Sequence, residues 1–277
     1  MNHANTMRTI LIAAAAIGVL GGCARKTDDQ AASSNATPPA PVALNGPEIV
    51  RDMVAAHGGL AAWRAAPTVS FVDSWGRPGQ PVRRSIVVVE QSSRRAYIDM
   101  PEKDAAMAWD GKKAWSTHWP SKSPVRFLAL LTFYFADLPW LTQDPGVKLE
   151  DTGMATLRGD STECATVMMT FASGTGDTPK DYYRLYIDPT THRLKACDYV
   201  VTYKALMGEG ESSSPEHCLV YDDFTTVKGL VVPTHFTIYE GDNLLTACAI
   251  SNWSFSTPFD ETRMAMPDSA VVDSSTP

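Results

Sequence analysis

Histidines and carboxylates are the residues of this sequence that could bind a metal or act in acid–base catalysis. The six histidines are His3, His57, His118, His192, His217 and His235. No two have the i, i+4 spacing of a metal-binding helix, so we predict no metal site and no cofactor. His217 and His235 could face each other across neighbouring strands, but the sequence places no acid to orient either.

Nucleophilic and phosphate-binding motifs are also missing from the sequence. No serine lies in the Gly-x-Ser-x-Gly turn that exposes a hydrolase nucleophile, and no glycine loop is spaced to hold phosphate. Asp222 and Asp223 are adjacent, so a strand would point them to opposite faces and they could not act as a pair. His57 lies at the end of a predicted helix, where a cation interacts favourably with the helix dipole, so we predict a structural role for it. We therefore predict that the protein is not an enzyme and has no catalytic residue.

Four cysteines follow the one at position 23. They are Cys164, Cys197, Cys218 and Cys248. An even number in an exported chain is compatible with two disulfides, in three possible connectivities. The predicted turns place no two of them directly opposite, so buried thiols that pack as small apolar residues are the other interpretation.

Composition is that of a globular protein and argues against nucleic-acid binding. The chain has 277 residues, of which 44% are hydrophobic and 20% charged, and its formal net charge is −7. No basic run reaches five residues. Arg83-Arg84 and Arg94-Arg95 lie between apolar residues, as on the solvent face of a strand.

The N-terminus has the pattern of a bacterial lipoprotein signal. Arg8 precedes an apolar run over residues 10–20, which is shorter than the ~20 residues that span a bilayer. The run ends in Leu20-Gly21-Gly22-Cys23, which resembles a lipobox. This predicts a signal peptide over 1–22, removed before a lipidated Cys23, with a plain signal peptide as the alternative. Two acyl chains would anchor the protein stably.

The rest of the chain divides into a tether, one domain and a tail. Residues 23–44 are small, polar and rich in proline, which predicts a flexible tether behind the lipidated cysteine. We place the folded domain at 45–258 and a polar C-terminal tail at 259–277. Ala24 differs from the aspartate of the enteric inner-membrane retention pattern, which favours the outer membrane, facing the periplasm, over the inner membrane.

Short strands dominate the predicted domain. Apolar residues at helical spacing after Pro47 predict a helix that ends at Gly58-Gly59, followed by a short helical turn over 60–64. About eleven or twelve strands follow, separated by turns such as Asp110-Gly111. The apolar segment 125–141 interrupts them as a buried or half-buried helix.

This pattern predicts a mainly β fold of the α+β type. A large antiparallel sheet curls because its strands twist, so we expect a half-barrel closed by the N-terminal helix and the internal apolar helix. The inner face of such a sheet is larger than two short helices can cover, which predicts an apolar cavity. The residues we predict to line it are Trp75, Tyr97, Trp109, Trp115, Phe127, Leu131, Phe135, Tyr186 and Tyr199.

A series of short motifs over residues 45–256 resembles a known family. The motifs are Ala56-His57-Gly58-Gly59-Leu60 with Trp63, Phe133-Tyr134-Phe135 through Leu138-Pro139-Trp140, Asp144-Pro145-Gly146, Tyr186-Ile187-Asp188-Pro189 with Thr191, Tyr221-Asp222-Asp223-Phe224, Gly229-Leu230 with Val232-Pro233, and Ile238-Tyr239-Glu240-Gly241. In this order they resemble a group of bacterial exported proteins related to the LolA/LolB lipoprotein carriers. The resemblance implies a half-barrel with an apolar cavity and no assigned activity. The carriers use their cavity for acyl chains, which is an analogy from fold.

Two functions are compatible with the sequence. The first is a membrane-anchored envelope lipoprotein that binds a lipid, an acyl chain or another hydrophobic small molecule without catalysis. The second is a protein-interaction module, such as an envelope-stress or assembly factor, with a filled core and an envelope protein as partner.

Overall fold

The computed structural model describes residues 43–120, 122–159 and 161–275. The predicted signal peptide, the lipidation site Cys23 and nearly all of the tether lie outside the described residues. Within the described ranges, no helix combines the length and apolar composition needed to cross a bilayer.

Thirteen strands and four α-helices make up the described chain. The helices are α1 (Glu48–Ala56), α2 (Leu60–Ala65), α3 (Val125–Leu128) and α4 (Leu131–Leu141). The strands are β1 (Thr68–Gly76), β2 (Arg83–Glu90), β3 (Ala96–Met100), β4 (Ala105–Trp109), β5 (Ala114–Thr117), β6 (Val147–Thr156), β7 (Glu163–Phe171), β8 (Tyr182–Ile187), β9 (Leu194–Val200), β10 (His217–Val227), β11 (Leu230–Glu240), β12 (Asn243–Ser254) and β13 (Val271–Val272).

All thirteen strands form one antiparallel sheet. Its order is β13-β5-β4-β3-β2-β1-β12-β11-β10-β9-β8-β7-β6, and its two edge strands do not pair with each other. Two meanders, β1–β5 and β6–β12, are joined where β1 pairs with β12, for example at Trp75 and Cys248. The predicted fold, one large open antiparallel sheet with few helices, is confirmed.

Three details differ from the sequence-based expectation. The sequence predicts two short strands over 147–150 and 155–158, whereas the structure has the single strand β6, because an irregularity between Asp151 and Gly153 lets pairing with β7 continue past the polar residues. The apolar segment 125–141 forms two helices, with a break at Ala129 and Leu130. Part of the predicted tail is ordered on the sheet, since Phe259 packs against Tyr97 and β13 extends the edge beside β5.

The α3 helix joins elements from opposite ends of the sheet. The Arg126 guanidinium pairs with Asp177, in the β7–β8 loop, at 2.8 Å. The Arg126 backbone N–H donates to Asp273, just after β13, at 2.8 Å. Arg126 also lies 3.7 Å above the Trp109 ring. Because β13 is one edge and β7 is next to the other, these contacts require a curved sheet whose ends approach each other around α3.

The helices α1, α2 and α4 pack on the concave face of this sheet. Trp63 of α2 stacks on Trp140 of α4, with ring centroids 4.1 Å apart and nearly parallel planes. The Tyr221 hydroxyl of β10 donates to the Phe135 carbonyl of α4. Nearly every residue of α4 is buried, as expected for a helix that is apolar on all sides.

His57, at the end of α1, forms hydrogen bonds to the β8–β9 and β10–β11 hairpins. Its Nδ1 lies 2.9 Å from the Val231 carbonyl, and the Leu194 N–H donates to its Nε2 at 3.2 Å. A carbonyl can only accept, so Nδ1 carries the proton and the ring is neutral. Burial lowers the pKa of His57 to about 4, only partly offset by the Val231 hydrogen bond. The role is structural, as predicted, but the cation expected at the helix end is replaced by a neutral imidazole.

Candidate functional site

The α3–α4 segment separates two cavities on the concave face. Five residues line both of them: Phe127, Leu131, Phe135, Tyr199 and Val201. One cavity, with a volume of about 320 Å³, lies toward β6–β9 and is called here the tyrosine cavity, after Tyr134, Tyr183, Tyr199 and Tyr203. The other, of about 790 Å³, lies toward β1, β2 and β12 and is called the arginine cavity, after Arg77 and Arg83.

Aromatic rings form the walls of the tyrosine cavity. Tyr183 and Tyr199 stack at 5.8 Å, and Phe135 lies 5.3 Å from Tyr199. Burial raises the pKa of Tyr183 well above its ordinary value, so its phenol stays protonated. Charged side chains, among them Arg126 and Asp144, also line this cavity. The cavity can therefore accept apolar groups, with charged residues around it.

The arginine cavity is lined by apolar residues and by cations. Leu128, Leu131 and Leu245 contribute apolar surface, while Arg77, Arg83 and Lys122 contribute positive charge. No aspartate or glutamate is among its lining residues in the described part of the chain. Both cavities fall in the range of roughly 300–1,000 Å³ that is typical of ligand sites.

A buried polar cluster links the wall of the arginine cavity to α4. The Thr132 hydroxyl donates to Asp73 Oδ2 at 2.7 Å, and the Trp75 indole N–H lies within hydrogen-bond distance of both. Burial raises the pKa of Asp73, while the bonds from Thr132 and Trp75 and the charge of Arg83 oppose this. The cluster fixes Trp75, one of the lining residues, against the start of α4.

The structure brings five of the nine predicted lining residues to these cavities. Phe127, Leu131, Phe135 and Tyr199 line both, and Trp75 lines the arginine cavity. Trp109 packs against the same apolar core but lies under the Arg126 guanidinium.

The other three predicted lining residues lie on the opposite face of the sheet. Tyr97 and Trp115 belong to an outer cluster covered by Phe259 and Met264. Tyr186 belongs to a second outer cluster with Leu157, and its hydroxyl donates to Asp198 at 2.6 Å. These residues do not line either concave-face cavity, because each follows or precedes an inward residue on its strand.

Sequence reasoning missed Arg83 as a lining residue. The sequence analysis places Arg83 and Arg84 on the solvent face of a strand, whereas alternation along β2 sends only Arg84 outward. The two-residue period was the available signal, since one of two adjacent arginines on a strand must face the concave side. A guanidinium on the concave face indicates unfilled space there, because a completed apolar core would not include it.

Potential metal ligands do not cluster in the part of the chain that the structure describes. Within the described ranges, no three histidine, cysteine, aspartate or glutamate residues are placed to hold a metal ion. The four described cysteines are buried thiols without disulfides, which matches the second of the two interpretations.

Two expectations about histidines and acids on β10 and β11 are corrected. His217 pairs with Glu240 across the strands, so it does not face His235. His235 does have an acid beside it, because the pairing shifts near Asp222 and brings that carboxylate to 2.6 Å from Nδ1. Asp222 and Asp223 are both exposed at this irregularity.

Comparisons with known proteins give matches to solved structures only. No family model matches the chain, and no curated protein matches it. A LolA superfamily protein from Nitrosomonas europaea is similar at 11% identity and a TM-score of 0.46, over 75% of this chain and 96% of that one. A DUF1329 family protein from Desulfovibrio piger is similar at 14% identity and a TM-score of 0.45, over 77% and 98%.

A third similar structure is a domain from Vibrio parahaemolyticus described as an outer membrane lipoprotein-sorting protein. It has 8% identity and a TM-score of 0.43, over 73% of this chain and 93% of that one.

Proposed function

We propose that this protein is a non-enzymatic binding protein of the bacterial envelope that holds an acyl chain, or a lipid bearing one, between the curved sheet and the α3–α4 segment. The observation that carries the proposal is the pair of adjoining cavities that share Phe127, Leu131, Phe135, Tyr199 and Val201. Phe135 and Tyr199 are buried, but Phe127, Leu131 and Val201 are only half-buried, whereas a completed core would bury all five.

Apolar burial supplies the binding energy in this proposal. Each buried methylene contributes about 0.8 kcal/mol, before the costs of ordering the ligand. Shortening a ligand chain by two carbons should therefore weaken binding by about 1.6 kcal/mol, which is roughly a fifteenfold change in Kd. A series of fatty acids of decreasing length tests this directly.

Membrane attachment through Cys23 completes the proposal. Lipidation there would hold the domain near a membrane, facing the periplasm, on a tether rich in small and polar residues. The ligand site would then lie within reach of the lipid surface. Palmitate labelling of the expressed chain, compared with Cys23→Ser, tests the attachment, and equal labelling of both would refute it.

The cavities favour this hypothesis over the interaction module predicted from the sequence. That alternative needs a filled core, whereas volumes of about 320 and 790 Å³ lie on either side of α3 and α4. No second function is proposed.

A cavity-filling substitution tests the ligand site. Leu131 lines both cavities, so Leu131→Trp should fill space in each and weaken binding of a fluorescent fatty acid by about tenfold or more. Leu244→Trp is the matched control, because Leu244 is 44% exposed and lines neither cavity. The assay uses the full chain with Cys23→Ser, purified without detergent. Unchanged binding in Leu131→Trp would refute the assigned site.

A further inference from the structure

The arginine cavity has a charge opposite to that of the whole protein. The chain carries a formal net charge of −7, yet the charged residues that line this cavity in the described ranges are Arg77, Arg83 and Lys122. Grouped cations without carboxylates repel one another and gain from an anion placed among them. The tyrosine cavity differs, because Asp144, Asp177 and Asp181 also line it.

Arg83 lacks the partners that a partly buried guanidinium normally has. Its Nε is buried and has no hydrogen-bond partner, and it forms no ion pair within the described residues. The guanidinium lies 5.8 Å from the Trp119 ring. Asp73 acts on Arg83 electrostatically but forms no ion pair with it; its Oδ2 accepts from Thr132 and Trp75, and its Oδ1 is buried without a hydrogen-bond partner among the described residues.

The surroundings of Arg83 make the missing partner costly. Burial lowers the pKa of Arg83, the charge of Asp73 opposes this, and the positive charge of Arg77 lowers it further. Arginine remains cationic in proteins, so the cavity holds a charge that is only partly compensated. A guanidinium offers a planar fork of donors that suits carboxylate and phosphate oxygens.

The same cavity also offers apolar surface. Leu128, Leu131 and Phe135 line it from the α3–α4 segment, and Ile238 and Leu245 line it from β11 and β12. A ligand that fits must therefore combine an anionic head with an apolar tail.

We propose that the arginine cavity binds an anionic amphiphile, with its carboxylate or phosphate head on Arg83, Arg77 and Lys122 and its acyl tail on the apolar wall. This inference rests on the proposed function and adds the ligand class and the residues that recognise its head. Arg83 is the central contact, and Arg77 and Lys122 add charge beside it.

Binding of matched probes tests the head-group assignment. The probes are dodecanoate, its uncharged methyl ester and dodecyl phosphate, titrated at low salt against the full chain with Cys23→Ser. A hydrogen bond to a charged group is worth roughly tenfold or more in affinity. Dodecanoate and dodecyl phosphate should each bind about tenfold or more tighter than the ester, and the preference should shrink at high salt.

Three substitutions assign this preference to the cations. Arg83→Met keeps the apolar stem and should abolish the preference for dodecanoate over its methyl ester. Arg83→Lys should restore part of it. Arg77 lies on the exposed β1–β2 loop, so Arg77→Met should reduce the preference for dodecanoate over its ester without altering the fold. This variant keeps the test valid if Arg83→Met does not fold. Thermal unfolding of each variant checks its fold.

The possible outcomes separate this inference from the proposed function. If the ester binds as tightly as dodecanoate, or if both Met variants keep the full preference, the anionic-head assignment is overturned while the acyl-chain site stands. If inorganic phosphate alone displaces dodecanoate at equal concentration, the site recognises a free anion and the inference is also overturned. If no probe binds, the proposed function fails and the inference fails with it.

Discussion

Replacing His57 with glutamine should remove a pH dependence of stability. The folded chain holds His57 neutral, between the Val231 carbonyl and the Leu194 N–H. Burial lowers its pKa from 6.5 to about 4. Between these values the unfolded chain binds a proton that the folded chain does not, so the contribution of His57 is complete above pH 6.5 and is lost as the pH falls to about 4.

The size of this effect follows from the same two values. One pKa unit corresponds to about 1.36 kcal/mol, so the difference between 6.5 and about 4 is worth about 3 kcal/mol of unfolding free energy. The stability advantage of the wild type over His57→Gln should therefore be about 3 kcal/mol smaller at pH 4 than at pH 7.5. Urea unfolding at both pH values, followed by tryptophan fluorescence, measures it.

A control on the same helix separates titration from general damage to the core. Met53 is also fully buried on α1 but does not titrate, so Met53→Leu should cost the same at pH 4 and pH 7.5. A cost of His57→Gln that is equal at pH 4 and pH 7.5 would refute the lowered pKa. That result would mean that His57 has the same pKa in the folded and the unfolded chain.

Three further predictions follow from the packing of the helices. Gly58→Ala should destabilise by more than Gly59→Ala, because a Cβ on Gly58 would overlap the Gly229 carbonyl in addition to the strain of its positive φ, whereas Gly59 has open space and bears only a backbone strain of about 1–3 kcal/mol; paired urea melts compare them. Trp63→Ala should cost about 3–5 kcal/mol in the same assay, through loss of a buried stacked ring. Burial raises the pKa of Asp137 to about 7, although Arg94 pairs with it at 2.6 Å and opposes the rise, so the folded chain retains a proton that the unfolded chain releases; Asp137→Asn should therefore gain stability relative to the wild type as pH rises from 4 to 7, and a gain toward low pH would contradict this sign.

The strands and helices were largely predictable because their signals are local. Turn pairs such as Asp110-Gly111, and the change from helical to alternating apolar spacing after Pro67, mark where elements begin and end. The pairing of β1 with β12 had no such signal, because it joins residues more than 160 positions apart. A two-residue strand such as β13 depends on its neighbour, β5, and shows no pattern of its own.

The faces of the strands were harder to assign than the strands themselves. Val87, Val88 and Val89 are all buried, because the C-terminal segment covers the outer face of β2–β5. Apolar residues on both faces remove the alternation that would tell inside from outside. Tyr97 and Trp115 were therefore assigned to the concave face, whereas Arg83, which does line a cavity there, was assigned to solvent.

Native mass spectrometry of the Cys23→Ser chain, purified without detergent, tests whether the two adjoining cavities hold an acyl-chain ligand. We expect a reproducible added mass in the range of an acyl-chain amphiphile. This mass should leave on unfolding and should be reduced in Leu131→Trp but kept in Leu244→Trp. A bare protein mass, together with no uptake of added dodecanoate, would contradict the claim that the adjoining cavities form a ligand site.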